Sequence, residues 1–139
     1  MKKGTVYIDS GAFIAFLVRR DGSHKDMVRL FAHPPRSWYT SVLVISEAYS
    51  WFLHSLGEES ARKFRHLLSN LSGLKVLDVD SEHRTAVWAK LDDLRGRKLT
   101  YVDASSLVWI KEKAVRKVWG TDHHLGIEGT TVVPGPPLL

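Results

Sequence analysis

Four acidic residues that could act together each follow or interrupt an apolar segment of the sequence. They are Asp9 in TVYIDS, Glu47 in SVLVISEAY, Asp103 in LTYVDASSL and Asp122 in KVWGTDHHL. Burying an ionised carboxylate among apolar side chains is unfavourable unless another group compensates its charge. A bound divalent cation would compensate all four, and proteins use cations held by carboxylates to attack phosphodiesters. The pattern therefore predicts a metal-dependent site for cleaving phosphodiester bonds.

The expected ion is Mg²⁺ or Mn²⁺, because hard cations prefer carboxylate and water oxygens. Such an ion lowers the pKa of bound water and neutralises charge on a phosphate in the transition state. Carboxylates this close together repel one another, so the pocket without metal should be strained or partly protonated. The sequence leaves open which metal binds and whether one ion or two are held.

Each acidic residue also has an ordinary structural interpretation. Asp9 and Asp122 could belong to turns, and Glu47 could pair with a neighbouring Lys or Arg. Asp103 could be an N-terminal helix residue favoured by the helix dipole. The joint pattern, rather than any single residue, favours the metal site.

The elements that must position these residues are short apolar runs alternating with longer amphipathic segments. Strands alternating with helices are typical of an α/β sandwich, with a mostly parallel central sheet flanked by helices. The simplest interpretation is one domain, residues 1–139, ending in a proline-rich segment from Pro134 to Leu139. The predicted strands are Thr5–Ile8, Ser37–Ser41, Leu74–Leu77, Val115–Trp119 and Thr130–Val133. The predicted helices are Ala12–Arg20, Ser23–His33, Val42–Leu56, Glu58–Leu71, Ser81–Leu94 and Tyr101–Lys113.

This arrangement predicts that the acidic residues meet at one edge of the sheet. In open parallel sheets, ligands bind beyond the carboxyl ends of the strands. Asp9 follows the first strand and Asp122 follows a late one. Asp103, near the start of a helix, can reach the same edge. Glu47 lies within a helix among apolar neighbours, which predicts an inward-facing position.

Composition bounds the class of protein. Lys and Arg number 20 against 15 Asp and Glu, and a basic surface around an acidic pocket suits a polyanionic substrate. The absence of cysteine excludes disulfides, thiolate metal sites and cysteine nucleophiles. No apolar stretch reaches the length of a transmembrane helix, so we expect a cytoplasmic protein without a membrane partner.

The four motifs, taken in order, resemble the PIN domain family, and most of all its small VapC-type toxin ribonucleases. They are VYIDSGAF at 6–13, TSVLVISE at 40–47, YVDA at 101–104 and TDHHL at 121–125. The resemblance implies a Rossmann-like PIN fold and Mg²⁺- or Mn²⁺-dependent cleavage of RNA. Asp9, Glu47 and Asp103 would be the metal ligands, assisted by Asp122. The resemblance also implies a homodimer and, for the toxin branch, a cognate antitoxin protein that blocks the pocket.

One position departs from the family pattern. The hydroxyl residue that often lies two positions before the last Asp is replaced here by Gly120, and Thr121 adjoins Asp122 directly. The role of Thr121 is therefore left open. Asp122 ranks below the other three acidic residues as a ligand.

A second group of residues could contact the substrate or orient the carboxylates. Ser10 and Ser41 could cap a helix or hydrogen-bond a carboxylate, and His124 could contact substrate or orient Asp122. For that histidine a loop or packing role is favoured. The basic loop of residues 95–98 could bind phosphate, although a solvated loop is favoured. The five tryptophans could stack on bases, but their spacing places most of them in the core. The members of this second group are Ser10, Ser41, Thr121, His124 and Arg97.

Three alternative functions stay open. The same fold could bind RNA or a partner protein without catalysis, although a degenerate site has no reason to keep four acidic residues. It could be a housekeeping RNA-processing nuclease rather than a toxin. It could be a phosphatase with an Asp nucleophile after the first strand, but that chemistry usually needs a second Asp where this chain has Gly11.

Overall fold

The computed structural model describes residues 4–135, and within them five strands form one sheet in which every neighbouring pair is parallel. The strand order is β3-β2-β1-β4-β5. The predicted α/β fold is confirmed. The sequence predicts a mostly parallel central sheet, and in the described residues every strand pair is parallel. The predicted domain limits and the segment 136–139 lie outside the described residues. The strands are β1 (Thr5–Ile8), β2 (Ser37–Ser41), β3 (Leu74–Leu77), β4 (Lys117–Gly120) and β5 (Thr131–Pro134).

Six α-helices and one short 3₁₀ helix connect the strands in the described part of the chain. They pack in sequential pairs, α1 with α2, α3 with α4 and α5 with α6, and α1 also packs on α3. None of the described helices is both long and apolar enough to cross a bilayer. The helices are α1 (Ser10–Leu17), α2 (His24–Ala32), α3 (Val42–Leu56), α4 (Glu58–Asn70), α5 (Ser81–Asp93) and α6 (Tyr101–Glu112), with the 3₁₀ helix at His123–Gly126.

The strand order reverses beside β1, which lies at the centre of the sheet with all four of its residues buried. From β1 the chain adds β2 and then β3 on one side, and it returns to the other side of β1 to add β4 and β5. Right-handed crossovers then place helices on both faces of the sheet, giving three layers. The reversal lies between β1 and β4, where doubly wound sheets open a crevice for ligands.

Most predicted ends lie within one residue of the observed ones, but α1 ends at Leu17 rather than Arg20, and two element starts differ by two residues for identifiable reasons. The first helix begins at Ser10 rather than Ala12, because the Ala12 N–H already donates to the Asp9 carbonyl at 3.1 Å. Asp9 therefore occupies the N-cap position that we expected Ser10 to fill. Strand β4 begins at Lys117 rather than Val115, because the Val115 N–H is still bonded to the Ile110 carbonyl of α6, at 2.9 Å.

An aromatic cluster fills the core between the sheet and helices α1 to α4. Phe31 packs edge-on against Trp119, and Phe52 stacks on Phe64 with ring centroids 5.3 Å apart. Trp38, Trp109 and Trp119 are buried, as expected for most of the tryptophans. Trp51 and Trp88 are exposed instead.

Candidate active site

Asp9 emerges from the end of β1 at the point where the strand order reverses. Its N–H donates to the Trp119 carbonyl of β4 at 2.9 Å, and only 5% of the residue is exposed. Burial raises the pKa of the Asp9 carboxyl to about 7, and the Ser10 backbone N–H opposes the rise. The charges of the other three acidic residues raise it further, those of Glu47, Asp103 and Asp122. The other three predicted acidic residues are therefore close enough to Asp9 for their charges to raise its pKa.

Two glycines leave space near the site, one beside Asp9 and one beside Thr121. A Cβ atom at Gly120 would lie 3.2 Å from the Asp9 Cβ, tighter than an ordinary carbon contact, so a larger residue there would press on Asp9. A Cβ atom at Gly11 would collide with Thr121 Oγ1. Gly120, the position that departs from the family motif, therefore leaves room for the Asp9 side chain. Thr121 packs against the first turn of α1.

Asp103 is the third residue of α6 and is 9% exposed. Its Oδ2 accepts from the Thr100 N–H at 3.2 Å, and its own N–H donates to Thr100 Oγ1 at 3.0 Å, a reciprocal capping box. The ordinary structural interpretation of Asp103 is thus correct as far as it goes. Since a carboxylate has about four lone-pair sites, the cap leaves acceptor capacity for another ligand.

Asp122 and His124 lie next to Asp103, on the segment that follows β4. The His124 Nδ1 lies 3.1 Å from Asp122 Oδ1 and 3.5 Å from Asp103 Oδ2. One ligand atom from each of the three residues lies within 4.8 Å of the others. Asp122 also caps the 3₁₀ helix, because its Oδ1 accepts from the His124 N–H at 2.9 Å. His124 thus lies in the segment after β4, and its ring contacts the Asp122 carboxylate, as expected if it orients Asp122.

Glu47 reaches the site from the exposed side rather than from the interior. The predicted inward-facing position is wrong, because Val44, Ala48 and Phe52 form the buried stripe of α3 and Glu47 lies beside it. The Glu47 Oε1 accepts from Ser10 Oγ at 2.7 Å. Ser10 therefore orients a carboxylate, one of the two roles expected for it, while the cap belongs to Asp9.

Ser41 belongs to a different, uncharged group of buried hydroxyls. Tyr7 Oη donates to Ser41 Oγ at 3.2 Å and lies 2.8 Å from Ser106 Oγ. Ser41 Oγ also accepts from the Val44 N–H and so caps α3, as one of its expected roles required. Burial raises the pKa of the Tyr7 phenol well above its ordinary value, so Tyr7 stays protonated and can keep donating.

Arg97 is exposed on the loop between α5 and α6. Its backbone N–H donates to the Leu94 carbonyl at 3.2 Å. Within residues 4–135, its guanidinium forms no ion pair. It is therefore available to a phosphate in solution.

The acidic group fits a divalent cation by its donor chemistry. Among the described residues, no Lys or Arg nitrogen lies within 4.0 Å of any of the four carboxylates. A buried carboxyl whose pKa is raised to about 7 lacks a compensating charge that an ion would supply. Carboxylate oxygens suit Mg²⁺ and Mn²⁺, and an imidazole nitrogen from His124 suits Mn²⁺ better than Mg²⁺.

Sequence reasoning named every member of this group but did not foresee its internal arrangement. The closest three ligand atoms belong to Asp103, Asp122 and His124, rather than to the expected leading set that included Asp9 and Glu47. The available signal was the TDHH motif itself, since a histidine two residues after an Asp can return to its carboxylate.

Comparisons with known proteins agree with the fold of this chain. The model of the PIN domain family matches residues 6–125. Among curated proteins, none matches the sequence.

Two solved structures share the fold. The first is the Mycobacterium tuberculosis toxin VapC20, described as cleaving the sarcin-ricin loop: TM-score 0.83, 21% identity, covering 91% of this chain and 96% of that one. The second is a chain of VapBC2 from Rickettsia felis, solved with a DNA fragment from its promoter: TM-score 0.61, 10% identity, covering 92% and 96%. At these identities the likeness concerns the fold.

Proposed function

The chain belongs to the PIN domain family, and from that membership we propose that it is an endoribonuclease that depends on a divalent metal. The observation that carries the proposal is the state of Asp9. This carboxylate is 5% exposed, lies in the field of three other acidic residues and, within residues 4–135, has no Lys or Arg partner. A protein that keeps such a group without a compensating charge has a use for it, and binding a cation is the use that its oxygens serve best.

Asp9, Asp103, Asp122 and Glu47 would hold Mg²⁺ or Mn²⁺. Bound there, the ion would activate water and neutralise charge on the scissile phosphate. Ser10 fixes the direction of Glu47 through its 2.7 Å hydrogen bond. His124 lies between Asp103 and Asp122, with its Nδ1 3.5 Å and 3.1 Å from their carboxylate oxygens, a position from which it can orient the Asp122 carboxylate.

The structural neighbours support RNA as the substrate and a toxin as the biological role. VapC20 is described as a toxin that cleaves the sarcin-ricin loop, and VapBC2 is described with its promoter DNA. By analogy, we propose that this chain is the toxin of a toxin–antitoxin pair. A cognate antitoxin, a homodimer and a cytoplasmic location belong to the same proposal.

Cleavage of RNA tests the proposal directly. The protein is incubated with a sarcin-ricin loop oligonucleotide and with an unrelated single-stranded RNA, in Mg²⁺, in Mn²⁺ and in EDTA. Asp9→Asn serves as the matched inactive variant. We expect cleavage only by the unmodified protein with metal. Equal cleavage in EDTA or by Asp9→Asn would reject the proposal, as would no cleavage of either RNA by protein that binds the metal.

Co-expression separates the toxin from a housekeeping nuclease. The product of the neighbouring gene is produced together with this chain, and the cleavage assay is repeated on the purified complex. A toxin is silenced by a small partner that co-purifies with it. A housekeeping nuclease keeps its activity and finds no such partner.

A further inference from the structure

Trp88 on α5 is the most exposed large apolar side chain in residues 4–135, at 59%. Its ring is nevertheless held in place. It lies 5.3 Å from the Tyr101 ring with the two planes at 74°, an edge-to-face arrangement that aromatic pairs prefer. A large aromatic surface that is fixed and yet uncovered offers a face on which another ring can stack.

The aromatic pair lies at the end of α6 that carries Asp103. Tyr101 is the first residue of α6 and Asp103 the third, so at about 1.5 Å of rise per residue both lie in the first helical turn, with their side chains on different faces of the helix. Helix α5 is also tied to the segment that carries His124. Lys90 Nζ donates to both carboxylate oxygens of Glu128, at 3.0 and 2.8 Å, two residues beyond the 3₁₀ helix. The pair is therefore near Asp103 along α6 but on another face of that helix.

The loop between α5 and α6 adds positive charge. Arg95 is engaged, since its Nη1 donates to the Asp92 carbonyl at 3.0 Å. Arg97 and Lys98 are exposed and form no ion pair among the residues that the structure describes. Two acidic residues end α5, yet residues 84–98 contain five cationic side chains against those two carboxylates.

Single-stranded RNA matches both features at once. A base offers an aromatic face on which Trp88 can stack, and the phosphates of the RNA backbone match the charges of Arg97 and Lys98. An apolar protein partner would contact only the tryptophan. We propose that Trp88, held by Tyr101, stacks on an unpaired base of the substrate while Arg97 and Lys98 bind the adjoining phosphates. This inference rests on the proposed function in taking RNA as the substrate.

Two properties follow from this RNA-stacking site. Aromatic stacking strengthens binding of a single strand by about 5- to 150-fold per base and tolerates any base, because every base has a π face. In a duplex the faces are already stacked, so the site favours single strands and loops. The phosphate contacts make binding weaken with salt.

Binding of labelled single-stranded RNA, followed by fluorescence anisotropy in EDTA so that nothing is cleaved, tests the site. We expect Trp88→Leu to weaken binding at least about 5-fold and Trp88→Phe to retain most of it. Trp51→Leu is the matched control, because Trp51 is another exposed tryptophan, 37% exposed, on α3. It should bind as the unmodified protein does. Replacing Arg97 and Lys98 by Ala should lower the slope of binding against salt concentration.

Each outcome decides the matter. Unchanged affinity in a folded Trp88→Leu variant overturns the site. If the Trp88→Leu variant also differs from the unmodified protein in molecular mass in ultracentrifugation while its RNA affinity is unchanged, Trp88 belongs to a protein interface and the RNA-stacking site is overturned. Binding that depends on Trp88 in a protein that never cleaves RNA with Mg²⁺ supports the site and rejects the nuclease. Cleavage with unchanged binding by Trp88→Leu rejects the site and leaves the nuclease standing.

Discussion

Two polar clusters lie together at the carboxyl edge of the sheet, and they differ in whether they are complete. The hydroxyl cluster, formed by Tyr7, Ser41 and Ser106, is neutral, and its buried oxygens bond one another at 2.8 and 3.2 Å. The acidic cluster consists of the four candidate ligands Asp9, Glu47, Asp103 and Asp122, and it leaves a buried carboxyl with a pKa raised to about 7. The first cluster is neutral and hydrogen-bonded, whereas the second carries buried negative charge that a cation would compensate.

The contrast separates stability from function. A satisfied buried hydrogen-bond network rigidifies a core, while a charge buried without a partner destabilises it. The two clusters share helix α6, which carries both Asp103 and Ser106. One helix therefore carries a member of the neutral network and a member of the acidic cluster. Substitutions in the two clusters should act in opposite directions.

The largest expected effect is on catalysis by the acidic cluster. Asp103→Asn keeps the shape of the side chain but removes a charge from the proposed ion site. We expect the rate of RNA cleavage with Mg²⁺ to fall at least about 100-fold, as when a preorganised charge-stabilising group is lost. Asp78→Asn, at an exposed acidic residue after β3, is the control. Similar rates for both variants would contradict the role of Asp103.

The next effect is a gain of stability. Asp9→Asn removes a carboxylate whose burial is unfavourable, so the metal-free protein should become more stable at pH 8. A pKa raised from 3.8 to about 7 is equivalent to roughly 4 kcal/mol, so removal of the charge should increase the free energy of unfolding by up to about that amount. Urea unfolding in EDTA measures it. A variant that unfolds at lower urea than the unmodified protein would show that Asp9 is already compensated.

The dependence of stability on pH follows from the same group. Because the pKa of Asp9 is raised from 3.8 to about 7, the folded state binds more protons than the unfolded state between these values. The contribution of Asp9 to stability is therefore highest near pH 4 and is lost as the pH rises to about 7. Urea unfolding of the unmodified protein and of Asp9→Asn across this range gives the difference. A difference that does not grow with pH would contradict the prediction.

The hydroxyl cluster should respond in the opposite sense and by less. Tyr7→Phe leaves Ser41 and Ser106 without their shared partner, so the free energy of unfolding should fall by about 1–3 kcal/mol. Cleavage per folded molecule should stay close to normal, because none of these hydroxyls bonds an acidic side chain in the described residues. Unfolding measured beside cleavage checks both halves. If Tyr7→Phe loses as much cleavage as Asp103→Asn does, the hydroxyl cluster also serves catalysis and the prediction is wrong.

The sequence could predict the fold because local signals and tertiary structure agree in it. The strands are short apolar or aromatic runs that end at a turn or a helix cap, and Gly57 separates α3 from α4 at a φ of 96°. The convergence of Asp9 and Asp122 followed from their positions after parallel strands. Those features need only the order of the elements along the chain.

The details that the sequence missed depend on how elements rotate and pack. Helical periodicity predicts a buried stripe on α3, but Glu47 borders that stripe, and only packing decides that it is exposed. The position of His124 depends on a single turn of 3₁₀ helix started by the side chain of Asp122. Spacing predicts that most of the tryptophans lie in the core but does not single out Trp88, which is exposed on α5.

Calorimetric titration of the purified protein with Mn²⁺ at pH 8, in parallel with Asp9→Asn, tests the central claim that the acidic cluster binds a divalent cation. We predict a saturable binding reaction for the unmodified protein, and binding at least about tenfold weaker for the variant. Folded protein that takes up no Mn²⁺ or Mg²⁺, or that binds it equally well without the Asp9 carboxylate, would contradict the account.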